Sequence, residues 1–225
     1  MGLAEIAGVV LLRAQTRIDA AASNIANLTT PGYKARHVFA NALIDGAAPD
    51  VFTPATDMTP GKLQATGNPL DLAIAGDGFF SVRSGDSILY TRDGQFRLDG
   101  DGRLVTARGE PVQSSAGDVV VKNNDISVLQ DGTVMSGGEP VARLSIMEFS
   151  NARPPRAVGA GLYAGDGATE VGSPQIRQGM LETSNVSTAD EMLSVMAALR
   201  SAETGQQLAR TYDEMLGRAI SAFGQ

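Results

Sequence analysis

None of the 225 residues is cysteine. Disulfide frameworks, thiolate metal sites and cysteine nucleophiles are therefore excluded, and a chain of this kind can cross oxidising space without mispairing. Histidine occurs once, as His37, so neither a histidine triad nor a multi-histidine zinc site can be assembled. Beside Arg36 and after a turn, His37 reads as a loop or interface residue rather than a general base. Basic residues are too few for a phosphate-neutralising surface: 18 Lys+Arg stand against 25 Asp+Glu, a formal net charge of -7. No nucleic acid and no anionic membrane surface is expected as a partner. Nowhere do 18 uncharged apolar residues follow one another, which argues against membrane insertion. Glu5 stands where a secretory signal would carry positive charge, so no cleaved Sec signal is expected and any export takes another route.

What remains divides the chain into three textures. Leu3, Ile6, Val10, Ala14, Ile18, Ala21, Ile25 and Leu28 step by three or four. That spacing places them on one stripe of a helix about 39 Å long. The helix stops at Thr29-Thr30-Pro31-Gly32, where proline disfavours helical geometry at the residue before it and glycine permits a sharp turn. At the other end Met192, Val195, Leu199, Ala202, Gln206, Ala209, Asp213, Leu216, Ile220 and Phe223 form a heptad seam with polar lapses at Gln206 and Asp213. Thr188 and Glu191 fit a capping box at its start, and Glu214 and Arg218 fit an i,i+4 ion pair. A narrow apolar stripe on a long helix calls for a partner.

Between the helices, β-branched and aromatic residues alternate with polar ones. Strands are expected at 79–83, 87–91, 95–98, 103–106, 118–121, 126–129, 133–135 and 141–149. Asp93-Gly94, Asp99-Gly100-Asp101-Gly102 and Asp131-Gly132 supply hairpin turns. Residues 35–60 and 152–173, the latter rich in glycine and proline, read as connectors or irregular loops. The fold class is α+β: long terminal helices forming a coiled-coil-like pair around a central antiparallel all-β domain. The division is a helical assembly domain from 1–34 and 180–225, a connector at 35–60 and a β domain at 61–179.

Several catalytic and ligand-binding patterns fall short. Asp99, Asp101 and Glu110 have the spacing of a calcium loop, but Arg103 and Leu104 occupy positions that need an oxygen ligand and a glycine. Gly76-Asp77-Gly78 lacks the last glycine of a dinucleotide loop, and strands follow it where a helix is required, so it reads as a β-turn. Asp190/Glu191 and Asp213/Glu214 are neighbours diverging by about 100° on a helix, which suits capping and solvation better than acid-base work. No cofactor or metal is expected.

The stretch Ala22-Ser23-Asn24-Ile25-Ala26-Asn27-Leu28-Thr29-Thr30-Pro31-Gly32-Tyr33-Lys34 resembles the N-terminal signature of the flagellar rod and hook proteins. Asn68-Pro69-Leu70-Asp71-Leu72-Ala73-Ile74-Ala75-Gly76-Asp77-Gly78-Phe79-Phe80 resembles a second motif of that family, and Tyr90-Thr91-Arg92-Asp93-Gly94-Gln95-Phe96 a third. Gly179-Met180-Leu181-Glu182-Thr183-Ser184-Asn185-Val186, followed by the heptad helix, is similar to the fourth. The four stand in the family's order across nearly the whole chain. Hook proteins carry large outer insertions for which there is no room, so a rod subunit is favoured. Asp57-Met58-Thr59-Pro60-Gly61-Lys62-Leu63 looks more like the proximal-rod FlgF type than the distal-rod FlgG type, although the Gly-Asp-Gly-Phe-Phe run is shared with the latter.

The resemblance implies a non-enzymatic axial subunit whose terminal helices pack in the tube wall with a β domain outside them. It implies export through the flagellar type III apparatus into the periplasmic rod, and contacts with like and neighbouring axial proteins. Asn24, Asn27, Ile18, Ile25, Leu28, Met192, Val195, Leu199, Ala202, Ala209, Leu216 and Ile220 are the candidate subunit-interface positions. Pro31, Gly32, Asn68, Pro69, Asp71, Gly76, Gly78, Asp93 and Gly94 are the candidate turn and motif positions. The competing reading is a β-rich binding module or hydrolase with bracing terminal helices, the heptad stripe then being an ordinary intrachain seam.

Overall fold

The computed structural model describes residues 3–38, 54–122, 125–150 and 153–223, so most of the 35–60 connector lies outside the described residues. Its contacts divide the chain into two units. One contains residues 1–28, 35–57 and 186–225; the other contains 29–34 and 58–185. The turn 29–34 and the stretch 180–185, which the sequence reading joins to the helices, group with the strands.

In the first unit, helix α1 (Leu3–Ala26) and helix α2 (Thr188–Phe223) run antiparallel. Asn24 meets Glu191, and Leu11 lies against Gly205. The buried line on α1 is Ala7, Ala14 and Ala21, spaced by seven, and α2 answers with Glu191, Ala198 and Gly205, also spaced by seven. Small side chains at the seam let the axes approach closely. A Cβ at position 205 would sit 3.0 Å from Leu11 Cγ and 3.3 Å from Val10 Cγ1. Gly205→Val should therefore push the helices apart and weaken their pairing by about 1–3 kcal/mol. The helical circular-dichroism signal should melt at lower temperature while the β signal keeps its midpoint.

The α1 stripe survives in phase only in part. Ala14 and Ala21 are buried and Val10 and Ile18 half-buried, while Ile6, Ile25 and Leu28 are exposed. The α1 helix ends at Ala26, and the amides of Asn27 and Leu28 close back on Asn24 and Ile25. On α2 the capping differs from the expectation. Ser187 is the cap, its Oγ accepting the Asp190 amide at 3.4 Å, and Glu191 reaches Asn24 on the other helix rather than back to Thr188. The short strands Arg36–Val38 and Pro54–Thr56 pair antiparallel in this unit, with the His37 imidazole 3.9 Å from the Asp57 carboxylate.

The second unit is built from antiparallel strands around Leu72, Ile74, Phe80, Val82, Phe96, Leu144, Ile146 and Ile176. Its largest sheet has six strands in the order Arg156–Gly159, Leu162–Ala164, Ser87–Thr91, Phe79–Ser84, Ile146–Glu148, Thr169–Glu170. A second sheet orders Ile126–Val128, Thr133–Ser136, Glu139–Arg143. The structure corrects the irregular reading of 152–173, because three strands of the large sheet lie there, Arg156–Gly159, Leu162–Ala164 and Thr169–Glu170, the first two joined as a hairpin. A tight turn at Ala160 and Gly161, both with positive φ, closes that hairpin, and Tyr163 is buried on the sheet. The expected strand 141–149 is also two strands, one in each sheet, broken where the Leu144 amide donates to the Gly132 carbonyl. Residues 119–121 lie outside any strand apart from a single bridge of Val120 to Arg103, though Val119 and Val121 are buried.

Asp99 and Asp101 bind an arginine in this fold. The Asp99 carboxylate accepts the backbone amides of Asp101 and Arg103 and the Arg103 Nε, and Asp101 accepts Arg103 Nη2 at 2.8 Å. These bonds hold the Asp99 carboxyl below the usual carboxylate range, the Arg103 amide contributing most. The loop closes the hairpin of Phe96–Leu98 and Leu104–Thr106. A strand, Phe79–Ser84, follows Gly76-Asp77-Gly78.

Candidate assembly surface and its buried polar supports

Two strands far from each other in sequence place the turn after α1. Leu63–Ala65 pairs with Met180–Glu182, and Leu72–Ile74 with Ile176–Gln178. Glu182 is thereby buried beneath the 29–34 turn. Its Oε1 accepts Lys34 Nζ at 2.5 Å and the Gly61 amide at 2.8 Å, and its Oε2 accepts Arg92 Nη1 at 3.1 Å. The Lys34 and Glu182 side chains are 0% and 1% exposed, that of Arg92 3%. Lys34 also donates to the Thr59 carbonyl, Arg92 to the Gly76 carbonyl, and the Arg92 guanidinium lies over the Phe79 ring. Burial pulls the Arg92 guanidinium below its usual range, against the opposing pull of Glu182. One carboxylate thus ties together segments centred on residues 34, 60, 92 and 182.

The turn and motif positions gather in the same unit. Gly32 has φ +65, and a Cβ there would fall 2.2 Å from the Arg92 carbonyl carbon, so only glycine fits. Its amide donates to the Glu182 carbonyl at 2.7 Å, and half-buried Pro31 precedes it. Gly94 is required by close approach: a Cβ would stand 1.6 Å from the Leu72 carbonyl oxygen. Asn68 closes its own turn, donating to Asp71 Oδ1 and accepting the Leu70 amide, while the Pro69 carbonyl accepts Gln178. Asp71 is buried and its carbonyl accepts the Gly179 amide. Burial raises the Asp93 carboxyl against the lowering effect of the Gln95 amide it accepts. Gly76 and Gly78 flank the bend before Phe79, and a Cβ at 78 would meet Ile146 at 2.8 Å.

In the helical unit Asn24, fully buried, acts as a fastener. Its Oδ1 accepts the Arg36 amide at 2.8 Å, and its Nδ2 donates to the Arg36 carbonyl and to Glu191 Oε1. Asn27, half-buried, donates to the Ser23 carbonyl within its own helix. Of the α2 candidates, Val195, Ala202 and Ala209 are half-buried flanks of the small-residue seam. Met192, Leu199, Leu216 and Ile220 are exposed, Met192 58%, Leu199 50% and Ile220 72%, and Leu216 and Ile220 lie past the level of Leu3, where α1 begins. The inner line of α2 is thus Ala198 and Gly205, adjacent to the expected seam. Small residues carry little hydrophobic signal, so the sequence pattern points to the outer line.

Leu193, Met196 and Met215 extend that outer surface. Scattered exposed apolar residues are ordinary, but a line of large ones along one helix marks an interaction surface. Among the described residues no helix is long and apolar enough to cross a membrane. No group of three or more histidine or carboxylate side chains among them is placed to hold a metal ion.

The chain thus has a pair of terminal helices whose α2 carries exposed large apolar residues, and a separate antiparallel β unit. The chain matches three family descriptions: "Flagella basal body rod protein" over residues 11–34, "Flagellar hook protein FlgE/F/G D1 domain" over 73–136, and "Flagellar basal body rod FlgEFG protein C-terminal" over 177–222. It is 31% identical to the flagellar basal-body rod protein FlgG of Borreliella burgdorferi, over 91% of this chain and 92% of that protein. It is 32% identical to the rod protein FlgF of Escherichia coli and 33% to that of Salmonella typhimurium, over 88% of each chain. The chain belongs to the flagellar basal-body rod protein family, and relatives of the FlgF and FlgG kinds match it to a similar degree.

Proposed function

We propose that the chain is a structural subunit of the flagellar rod that polymerises through its terminal helices and catalyses no reaction. The outward line of Met192, Leu199 and Ile220 carries this reading. The inner face of the helix pair is filled by Ala7, Ala14, Ala21, Ala198 and Gly205, and Ile220 lies on the part of α2 that extends past α1, so these large side chains would gain burial from other subunits. In this reading the partners are further copies and neighbouring axial proteins. Export runs through the flagellar type III apparatus, the rod lies in the periplasmic space, and the polymer carries torque and the export channel. The test is a deletion strain complemented with a tagged copy, from which basal bodies are purified. The tagged chain should co-purify with the rod and the deletion strain should be non-motile. A motile deletion strain, or basal bodies without the tagged chain, would overturn the proposal.

A further inference from the structure

Within the β unit a cavity of about 320 Å³ opens beside Arg92. Arg92 and Phe79 line it and are buried, while Asp77 and Glu148 line it and are exposed, which puts the first two at its floor and the second two at its mouth. Phe149 and the buried Pro155 supply an apolar wall, Phe149 standing edge-on to Phe79 with ring centroids 5.8 Å apart.

Floor and mouth each hold polar groups that the fold leaves unanswered. At the floor, Arg92 gives Nη1 to Glu182 and Nη2 to the Gly76 carbonyl, but its Nε has no hydrogen-bond partner among the described residues. The Arg92 side chain is only 3% exposed. A buried N–H without an acceptor is destabilising, and such groups are nearly always paired, so an oxygen seated in the cavity is the missing partner. At the mouth, among the described residues neither Asp77 nor Glu148 forms an ion pair, whereas Asp99, Asp101, Asp118, Glu182 and Glu214 all do.

The charges facing the cavity decide the sign of what enters it. Lys34 and Arg92 stand against three carboxylates, the buried Glu182 that they share and Asp77 and Glu148 above it. Arg153, whose amide donates to the Ser150 carbonyl, does not line the cavity. An anion would add to that acidic excess, and a cation at the mouth relieves it. From the inside outward the cavity therefore calls for an oxygen acceptor, an apolar stem along Phe149 and Pro155, and a cation. A peptide loop that presents a main-chain carbonyl beside a lysine or arginine has this order, and an acidic or wholly apolar segment lacks it.

We propose that the cavity is a socket for a basic loop of an adjoining axial protein, in which a loop carbonyl accepts the Arg92 Nε–H and a lysine or arginine pairs with Asp77 and Glu148. This rests on the rod-subunit reading and gives that subunit a recognition site in its β unit.

The purified full-length chain and a matched pair of probes test the socket directly. 6-Aminohexanamide carries a carbonyl at one end of an apolar stem and an ammonium at the other, and adipamic acid replaces the ammonium with a carboxylate. Saturation-transfer NMR at millimolar probe should show the first bound and the second free. The double variant Asp77→Lys, Glu148→Lys should weaken binding of the first by about tenfold or more, with an unchanged thermal midpoint because both side chains are exposed. Equal binding of the two probes, or binding indifferent to the reversal, would overturn the socket, as would an unbound 6-aminohexanamide, the result for a cavity filled by water alone. In the bacterium that makes the chain, the same double variant should cut the fraction of flagellated cells by about tenfold or more. Flagellation at the parental level would overturn the docking and leave the rod reading intact. Absence of the parent chain from basal bodies would sink the rod reading and the docking with it.

Discussion

Glu182→Ala is expected to be the most destabilising single change in the β unit. The substitution leaves Lys34 and Arg92 buried with their shared counter-ion gone and the Gly61 amide without its acceptor. Breaking a buried charge cluster from one side costs about 3–5 kcal/mol, because the stranded charges keep their desolvation penalty. The thermal midpoint of the β circular-dichroism signal should fall by roughly 10 °C or more. Two comparisons separate this cause from generic damage. Arg83→Ala removes a half-exposed pair with Asp118 and should cost about 1 kcal/mol or less. The triple replacement Lys34→Met, Arg92→Met, Glu182→Leu removes every charge together and should recover much of the loss, since an apolar cluster of similar volume often matches a buried ionic one. A midpoint for Glu182→Ala equal to that of the parent chain would refute the account.

That cluster shows what a single sequence conceals. Lys34, Arg92 and Glu182 are ordinary charged residues by type, and charged residues are mostly solvated. Their convergence depends on Leu63–Ala65 pairing with Met180–Glu182 across more than a hundred residues, and such non-local pairing leaves no hairpin signal. The presence of these three residues in three of the quoted motifs is the trace they leave, and it enters through family resemblance rather than through spacing. Local features were legible in proportion to their locality. Asp-Gly turns and alternation mark Phe79–Ser84, Ser87–Thr91, Phe96–Leu98 and Leu104–Thr106 to within a residue or so. The Arg156–Gly159 and Leu162–Ala164 pair escaped because glycine and proline dilute the alternation, although Tyr163 anchors it. The segment 139–148 concealed its change of sheet because a strand's alternation is the same in either sheet.

The helices pose a subtler case. Their existence and period follow from the apolar spacing, but hydrophobic size and intrachain burial are out of register. On α2 the residues nearest α1 are Ala198 and Gly205, and the large ones one position away look outward. A reading that seeks the strongest hydrophobic line finds the exposed residues and passes over the intrachain seam. In the same way Glu191, read as a helix cap, is the partner of Asn24, and the cap is the preceding Ser187.

That offset gives the second large prediction its discriminating power. Leu199 is 50% exposed, so Leu199→Asp removes little from the isolated chain. Its melting behaviour should stay within about 0.5 kcal/mol of the parent, as for surface changes generally. In the proposed polymer the same position is covered. Burying a whole leucine contributes about 1.5–3 kcal/mol, so covering the exposed half forfeits roughly 1 kcal/mol per subunit when it is lost. The aspartate adds several kcal/mol for a carboxylate withdrawn from water without a counter-ion. The penalty recurs at each subunit, so assembly should fail while folding succeeds. Cells carrying Leu199→Asp should make a soluble, normally folded chain yet lack flagella and fail to swim. Arg200→Ala, an exposed neighbour, should swim normally because a solvated helix charge contributes little. Normal swimming by Leu199→Asp would deny the outer line a partner. An isolated variant that unfolds would instead place Leu199 in an ordinary intrachain core, contrary to the exposure on which the assembly reading rests.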